Sequence, residues 1–142
     1  MVELRSVRHR YEGRVVLDDC YNASPLSMRA AIDALQPIAV GRKRVAVLGD
    51  MLELGERSSD LHAELGAYLG GKADAVVTFG DRARAISNVA STALRFHAET
   101  PVAAAEKVIE WTSPGDVVLV KASRGMQLER VIDAMSAKKD KS

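Results

Sequence analysis

The sequence predicts an α/β domain built on an open, mostly parallel sheet. Three observations lead there. Short β-branched runs alternate with stretches of helical periodicity along the chain. The strongest apolar runs, Val45–Leu48, Ala75–Phe79 and Val117–Val120, are continuous rather than alternating, as in strands covered on both faces. The length, 142 residues, suits one domain with a real core and no need of metal or disulfide staples.

The elements follow in order. Residues 2–10 place Val2, Leu4 and Val7 in rough alternation, which reads as a half-exposed strand. Glu12-Gly13-Arg14 reads as a tight turn, so Val15-Val16-Leu17 returns as an antiparallel neighbour. Ser24-Pro25 supplies an N-cap and a first-turn proline for a helix with Met28, Ala31, Ile32 and Leu35 on one face. After Val45–Leu48, Ser58 or Ser59 opens a helix with the stripe Leu61, Leu65, Tyr68 and Leu69. After Ala75–Phe79, Asp81 is the candidate cap of a helix bearing Ala83, Ile86 and Val89. Leu94-Arg95-Phe96 is a weaker strand. Thr100-Pro101 repeats the cap-plus-proline signal before Ala105, Val108 and Ile109. Leu128, Val131, Ile132 and Met135 mark the last helix, and the lysine-rich tail 137–142 reads as a frayed, disordered end to a domain spanning 1–136. Together these make a Rossmann-like sheet of about six strands, one of them antiparallel from the N-terminal hairpin, with helices on both faces.

Composition removes several classes of function. With 20 Lys+Arg against 19 Asp+Glu the net charge is +1, so the reading includes no nucleic-acid partner. The single cysteine, Cys20, permits no intrachain disulfide. No apolar run is long enough for membrane insertion, and Met1–Tyr11 does not pattern as a signal peptide; a cytoplasmic location is expected. Gly66-Ala67-Tyr68-Leu69-Gly70-Gly71-Lys72 imitates a phosphate loop. It lacks the following Ser/Thr and sits after a helix rather than a strand, so it reads as a helix C-cap.

Open parallel sheets bind ligands beyond the carboxyl ends of their strands. Four such ends carry chemistry: Asp18-Asp19-Cys20-Tyr21-Asn22-Ala23-Ser24-Pro25, Gly49-Asp50-Met51-Leu52-Glu53-Leu54-Gly55-Glu56, Thr78-Phe79-Gly80-Asp81-Arg82 and Lys121-Ala122-Ser123-Arg124-Gly125. Taken singly, each has a plain reading: Asp18 or Asp19 satisfying loop amides, Asp50 and Asp81 capping helices, Lys121 pairing with Asp19 or Asp50 for structure. Cys20 and Trp111 read as packing residues, and His9, His62 and His97 show no metal spacing. Convergence of the four ends on one edge is the functional signal.

These turns resemble a known family. Asp18–Pro25 with Ser27-Met28 is similar to the D-D-S-Y-N-A-N-P-x-S-M signature of Mur ligase C-terminal domains. Val47–Glu56 with His62 resembles their L-G-D-M-L-E-L-G stretch and its later histidine, and Val120–Met126 with Glu129 resembles V-K-G-S-R-G-M-x-x-E. Cys20, Ser24 and Ala122 depart from the usual Ser, Asn and Gly, and Leu26 stands where an acid is common. The resemblance implies the C-terminal part of an ATP-dependent ligase that adds D-Ala-D-Ala to UDP-N-acetylmuramoyl-tripeptide through an acyl phosphate. N-terminal and central domains would be its partners, and magnesium would be bound mainly by the central one. It further implies ATP contacts from Asp19, Tyr21 and Asn22, and substrate contacts from Asp50, Glu53, Lys121, Ser123 and Arg124; Arg82 is added from its strand end alone. Alone, such a domain is expected to be inactive. Two other classes stay open on the residues. A phosphoacceptor receiver domain also has an early acidic pair, a middle Asp and a late Lys. A purely structural interaction module needs no ligand at all.

Overall fold

The computed structural model describes residues 7–19, 23–123 and 129–140. The strands are β1 Val7–Tyr11, β2 Arg14–Asp19, β3 Arg44–Gly49, β4 Ala75–Phe79, β5 Leu94–Ala98 and β6 Val117–Lys121. The α-helices are α1 Pro25–Ile38, α2 Ser58–Tyr68, α3 Arg84–Val89, α4 Pro101–Trp111 and α5 Glu129–Asp140. The sheet order is β1-β2-β6-β3-β4-β5, with β2, β6, β3, β4 and β5 mutually parallel and β1 antiparallel on the edge of β2.

The continuous apolar runs have the two-sided burial expected of them. In β6, Val117 and Leu119 enter one core while Val118 and Val120 enter the other, and β3 divides Ala46 and Leu48 from Val45 and Val47 in the same way. The first core is closed by α1, α2 and α3 and the second by α4 and α5. This two-sidedness follows from the chain's path. β2, β3, β4 and β5 advance in one direction across the sheet, and the return from β5 to β6 reverses it. Crossovers between parallel strands keep a right-handed sense, so reversing direction moves the connecting helix to the opposite face.

Local chemistry explains the element ends. Glu12 and Gly13 both take positive φ (51° and 82°), a two-residue hairpin turn suited to the twist of β1 and β2. Arg14 is therefore the first residue of β2 rather than part of the turn, and it is buried: its guanidinium donates to Thr112 Oγ1 and to the Thr112 carbonyl at the end of α4. A cation there complements the negative end of the helix dipole. Ser24 and Ser27 form a reciprocal capping box at α1, and Thr100 accepts from Ala103 N–H at α4.

Four further expectations are corrected. The buried stripe of α2 is His62, Leu65 and Gly66 followed by Leu69, whereas Leu61 and Tyr68 are only partly covered. The stripe turns because Gly66 lets α3 come close: a Cβ there would lie 2.5 Å from the Ile86 carbonyl oxygen. Asp81 does not cap α3, which starts at Arg84 with no side-chain cap of its own, and Val89 is exposed rather than on a buried stripe. Helix α5 continues through 137–140, where a frayed tail was expected, because alanine and lysine are good helix formers. Val2, Leu4, Cys20 and Leu128 lie outside the described residues.

Candidate functional site

Strands β2 and β3 hand the chain to helices on the first face, while β6, lying between them, leads toward α5 on the second. The carboxyl end of β6 is thus the switch point of the sheet, where neighbouring connections part and leave a crevice. Asp19 and Lys121 occupy it. They are register partners across β2 and β6, and both follow residues whose side chains alternate so as to put them on one face. Lys121 Nζ donates to Asp19 Oδ2 at 2.7 Å, and both side chains are buried. Burying two charges is costly unless they are paired and hydrogen-bonded, so geometry this close is itself a requirement of the site.

The turn after β3 is tied to the same place. Ser123 N–H donates to the Asp50 carbonyl at 3.1 Å, and Leu52 N–H donates to Ser123 Oγ at 3.0 Å. Ser123 is thus a bridge between the ends of β6 and β3, and its hydroxyl hydrogen is not consumed by the bond from Leu52. Asp50 is nearly enclosed. Its Oδ1 accepts from Ala83 N–H at 2.7 Å, just ahead of α3, and its Oδ2 faces Arg82 Nη1 at 3.6 Å. The cap that local sequence assigns to Asp81 is provided by Asp50, 33 residues away. Arg82 is largely exposed beside it. Glu53 stands outward on the turn, with a φ of 63°.

The structure therefore brings together Asp19, Lys121, Asp50, Ser123 and Arg82, and puts Glu53 on the adjoining turn. Tyr21, Asn22 and Arg124 lie outside the described residues. One residue at this edge carried no role in the sequence reading: His62, wholly buried, accepts Met51 N–H at Nε2. Its signals were the later histidine of the family stretch, matched above without a role, and its position, since 62, 65 and 69 share one helix face. The receiver-domain alternative finds no support. Of its two candidate acceptors, Asp50 is 3% exposed with one oxygen already taken by Ala83 N–H, and the late lysine that either Asp50 or Asp81 would need is committed to Asp19.

No group of three His, Cys, Asp or Glu able to hold a metal occurs among the described residues, and no described helix is long and apolar enough to cross a membrane. One titrating group near the edge departs from its ordinary value. Burial, and after it the Arg84 charge, hold His97 below the usual 6.5, with Thr78 Oγ1 at 2.8 Å from Nδ1. The unfolded chain then binds a proton near 6.5 that the folded one resists, so stability is full above that value and falls as pH drops below it. Urea midpoints measured at about pH 7.5 and 5.5 are expected to fall on acidification, and less steeply in His97→Gln. Equal slopes in the two proteins would remove His97 as a source.

The family model described as Mur ligase, glutamate ligase domain, matches residues 4–124. The UDP-N-acetylmuramoyl-tripeptide–D-alanyl-D-alanine ligase of Bacillus subtilis is 39% identical over 128 residues, covering 84% of this chain and 27% of that protein. The enzyme of the same name from Escherichia coli is 34% identical over 125 residues, covering 87% and 27%. Among solved structures, MurF ligase from Thermotoga maritima in complex with ADP superposes with a TM-score of 0.86 at 35% identity, covering 99% of this chain and 32% of that one. The chain thus spans less than a third of the length of these relatives. A match that starts ahead of β1 and runs past Ser123 takes in every strand of the sheet, and by it the chain belongs to the Mur ligase family.

Proposed function

We propose that this domain forms one wall of the active-site cleft of an ATP-dependent amide ligase that joins D-alanyl-D-alanine to UDP-N-acetylmuramoyl-tripeptide in peptidoglycan precursor synthesis. The observation that carries the reading is the buried Asp19–Lys121 pair at the switch point of the sheet, flanked by Asp50, Ser123 and Arg82. The names of the relatives supply the substrates, and the ADP complex of a similar structure supports the nucleotide. ATP and a nucleotide-linked substrate put the reaction in the cytoplasm.

In this reaction the terminal carboxylate of the tripeptide takes the γ-phosphoryl group of ATP, giving an acyl phosphate and ADP. The free amine of D-Ala-D-Ala then attacks the acyl carbon. An amide forms and phosphate leaves. Upstream N-terminal and central domains complete the cleft, and closure of this domain onto them excludes the water that would hydrolyse the acyl phosphate. Magnesium, where bound, would supply charge neutralisation at the transferring phosphoryl group. Asp19 is engaged by Lys121 and Asp50 by Ala83 N–H and Arg82, and no group of three metal-ligating side chains occurs among the described residues, so the residues here do not fit it and the central domain is its proposed holder.

Asp19, with one carboxylate oxygen on Lys121, is proposed to offer the other to the ribose hydroxyls of ATP, and Tyr21 and Asn22 are the residues proposed for adenine contact. Glu53 receives the ammonium end of the dipeptide, with Asp50 behind it holding the turn and Arg82 in place. Lys121, Ser123 and Arg124 are the groups proposed for the dipeptide carboxylate or the acyl phosphate; an arginine suits bidentate recognition of either. Two or three hydrogen bonds contribute about 1 kcal/mol each, against an association cost of at least about 4 kcal/mol. The 142-residue chain alone is therefore expected to bind ATP weakly and to ligate nothing.

The test uses a three-domain ligase carrying this domain. Asp19→Asn keeps the size of the side chain and is expected to raise the KM for ATP about tenfold while leaving that for D-Ala-D-Ala nearly unchanged. An unaltered KM for ATP in a folded variant removes Asp19 from the nucleotide site. Ligation by the isolated chain overturns the division of labour between domains.

A further inference from the structure

We infer that His62 is a positioning residue of this site, whose imidazole sets the backbone of the turn after β3 and through it the aim of Glu53. The inference rests on the ligase reading above. His62 lies on the covered face of α2, beside Leu65 and Leu69 and against Met51, with no exposed surface. A leucine would serve such surroundings better if filling space were the only demand, because a buried polar ring is unfavourable unless its nitrogens are bonded.

Both nitrogens are bonded, and to backbone. Met51 N–H donates to Nε2 at 2.9 Å, and Nδ1 lies 2.7 Å from the Ser58 carbonyl oxygen. A peptide N–H can only donate and a carbonyl oxygen can only accept. Nε2 therefore presents its lone pair and Nδ1 carries the hydrogen: a neutral ring in a single tautomer. The Ser58 hydroxyl, 3.3 Å from Nδ1, is a lesser neighbour.

The effect reaches the turn because its next contacts are also external. Leu52 N–H goes to Ser123 Oγ, and the Asp50 carbonyl accepts from Ser123 N–H. Asp50, Met51 and Leu52 are thus each held by a group outside the turn, two from the end of β6 and one from α2. The following residue, Glu53, is left in the left-handed region at a φ of 63°, a conformation a side chain other than glycine's rarely takes without support. Glu53 is exposed, as the proposed contact with the dipeptide amine requires. Removing the acceptor at Nε2 frees Met51 N–H and lets Glu53 relax toward ordinary φ.

The experiment compares His62→Leu, which deletes the acceptor, with His62→Gln, whose amide oxygen reaches about as far as Nε2. In a three-domain ligase carrying this domain, His62→Leu is expected to raise the KM for D-Ala-D-Ala about tenfold with the KM for ATP within about twofold, and His62→Gln to recover most of the loss. Hydrogen exchange at the Met51 amide is expected to speed up by about a hundredfold in His62→Leu and to stay near wild type in His62→Gln. Unchanged exchange at Met51 in His62→Leu overturns the proposal. So does a joint rise of both KM values that glutamine does not rescue, since that is the mark of lost packing. Should the leucine variant fail to fold, His62→Asn, whose amide reaches only as far as Nδ1, is measured in its place with the same expectations. A wild-type ligase that leaves D-Ala-D-Ala unjoined overturns the ligase reading instead, and the exchange data then still report whether His62 clamps the turn.

Discussion

Replacing Lys121 by methionine is expected to destabilise the domain by about 3–5 kcal/mol, one of the largest losses any single substitution should cause. The Asp19 carboxylate is 8% exposed and lies 2.7 Å from Nζ, so the variant leaves a buried charge without its cation. The pair itself need not be a net source of stability, because separating both charges from water costs several kcal/mol. Hence the double variant Asp19→Leu/Lys121→Met is expected to regain a good part of what Lys121→Met loses, though not its function. Urea unfolding of the three proteins checks this. A loss below about 1 kcal/mol for Lys121→Met would mean that the pair behaves as a solvated surface contact.

Gly66→Ala is expected to destabilise the domain although it improves helix propensity. Alanine in a helix interior is favoured over glycine by about 1 kcal/mol. Against that, the added Cβ would stand 2.5 Å from the Ile86 carbonyl oxygen and 3.2 Å from Val89 Cβ. The first contact is with backbone, which cannot rotate away, so α3 must move off α2. Overpacking of this kind costs about 1–3 kcal/mol, and it acts on a helix whose start is held by Asp50. The net expectation is a loss of up to about 2 kcal/mol, accompanied by shifts of the Ala83 and Ile86 amide resonances. A variant more stable than wild type would show that α3 yields easily and that the glycine is there for another reason.

Both outcomes turn on contacts that no local pattern displays. Helix α1 shows what local pattern does display. Its cap, its first proline and its four buried residues Met28, Ala31, Ile32 and Leu35 all follow from spacing within a few turns. Thr100-Pro101 and the covered strands β3, β4 and β6 were legible for the same reason. Helix α2 was legible as a helix but not in its rotation, because glycine carries no hydrophobic signal and histidine a weak one. The candidate site was legible as a set of strand ends. How its members divide the work was not: Asp50 takes the capping role ascribed to Asp81, and Ser123 spends its oxygen on Leu52.

Periodicity, caps and turn residues settle which segments become strands and helices, since those preferences are fixed by steric and hydrogen-bonding terms among near neighbours in the chain. Strand order, the reversal at β6 and the meeting of Asp19 with Lys121 across 102 residues belong to the assembled molecule. They depend on which faces are covered once the sheet has formed, and on burial that makes a charge acceptable only where its partner also arrives.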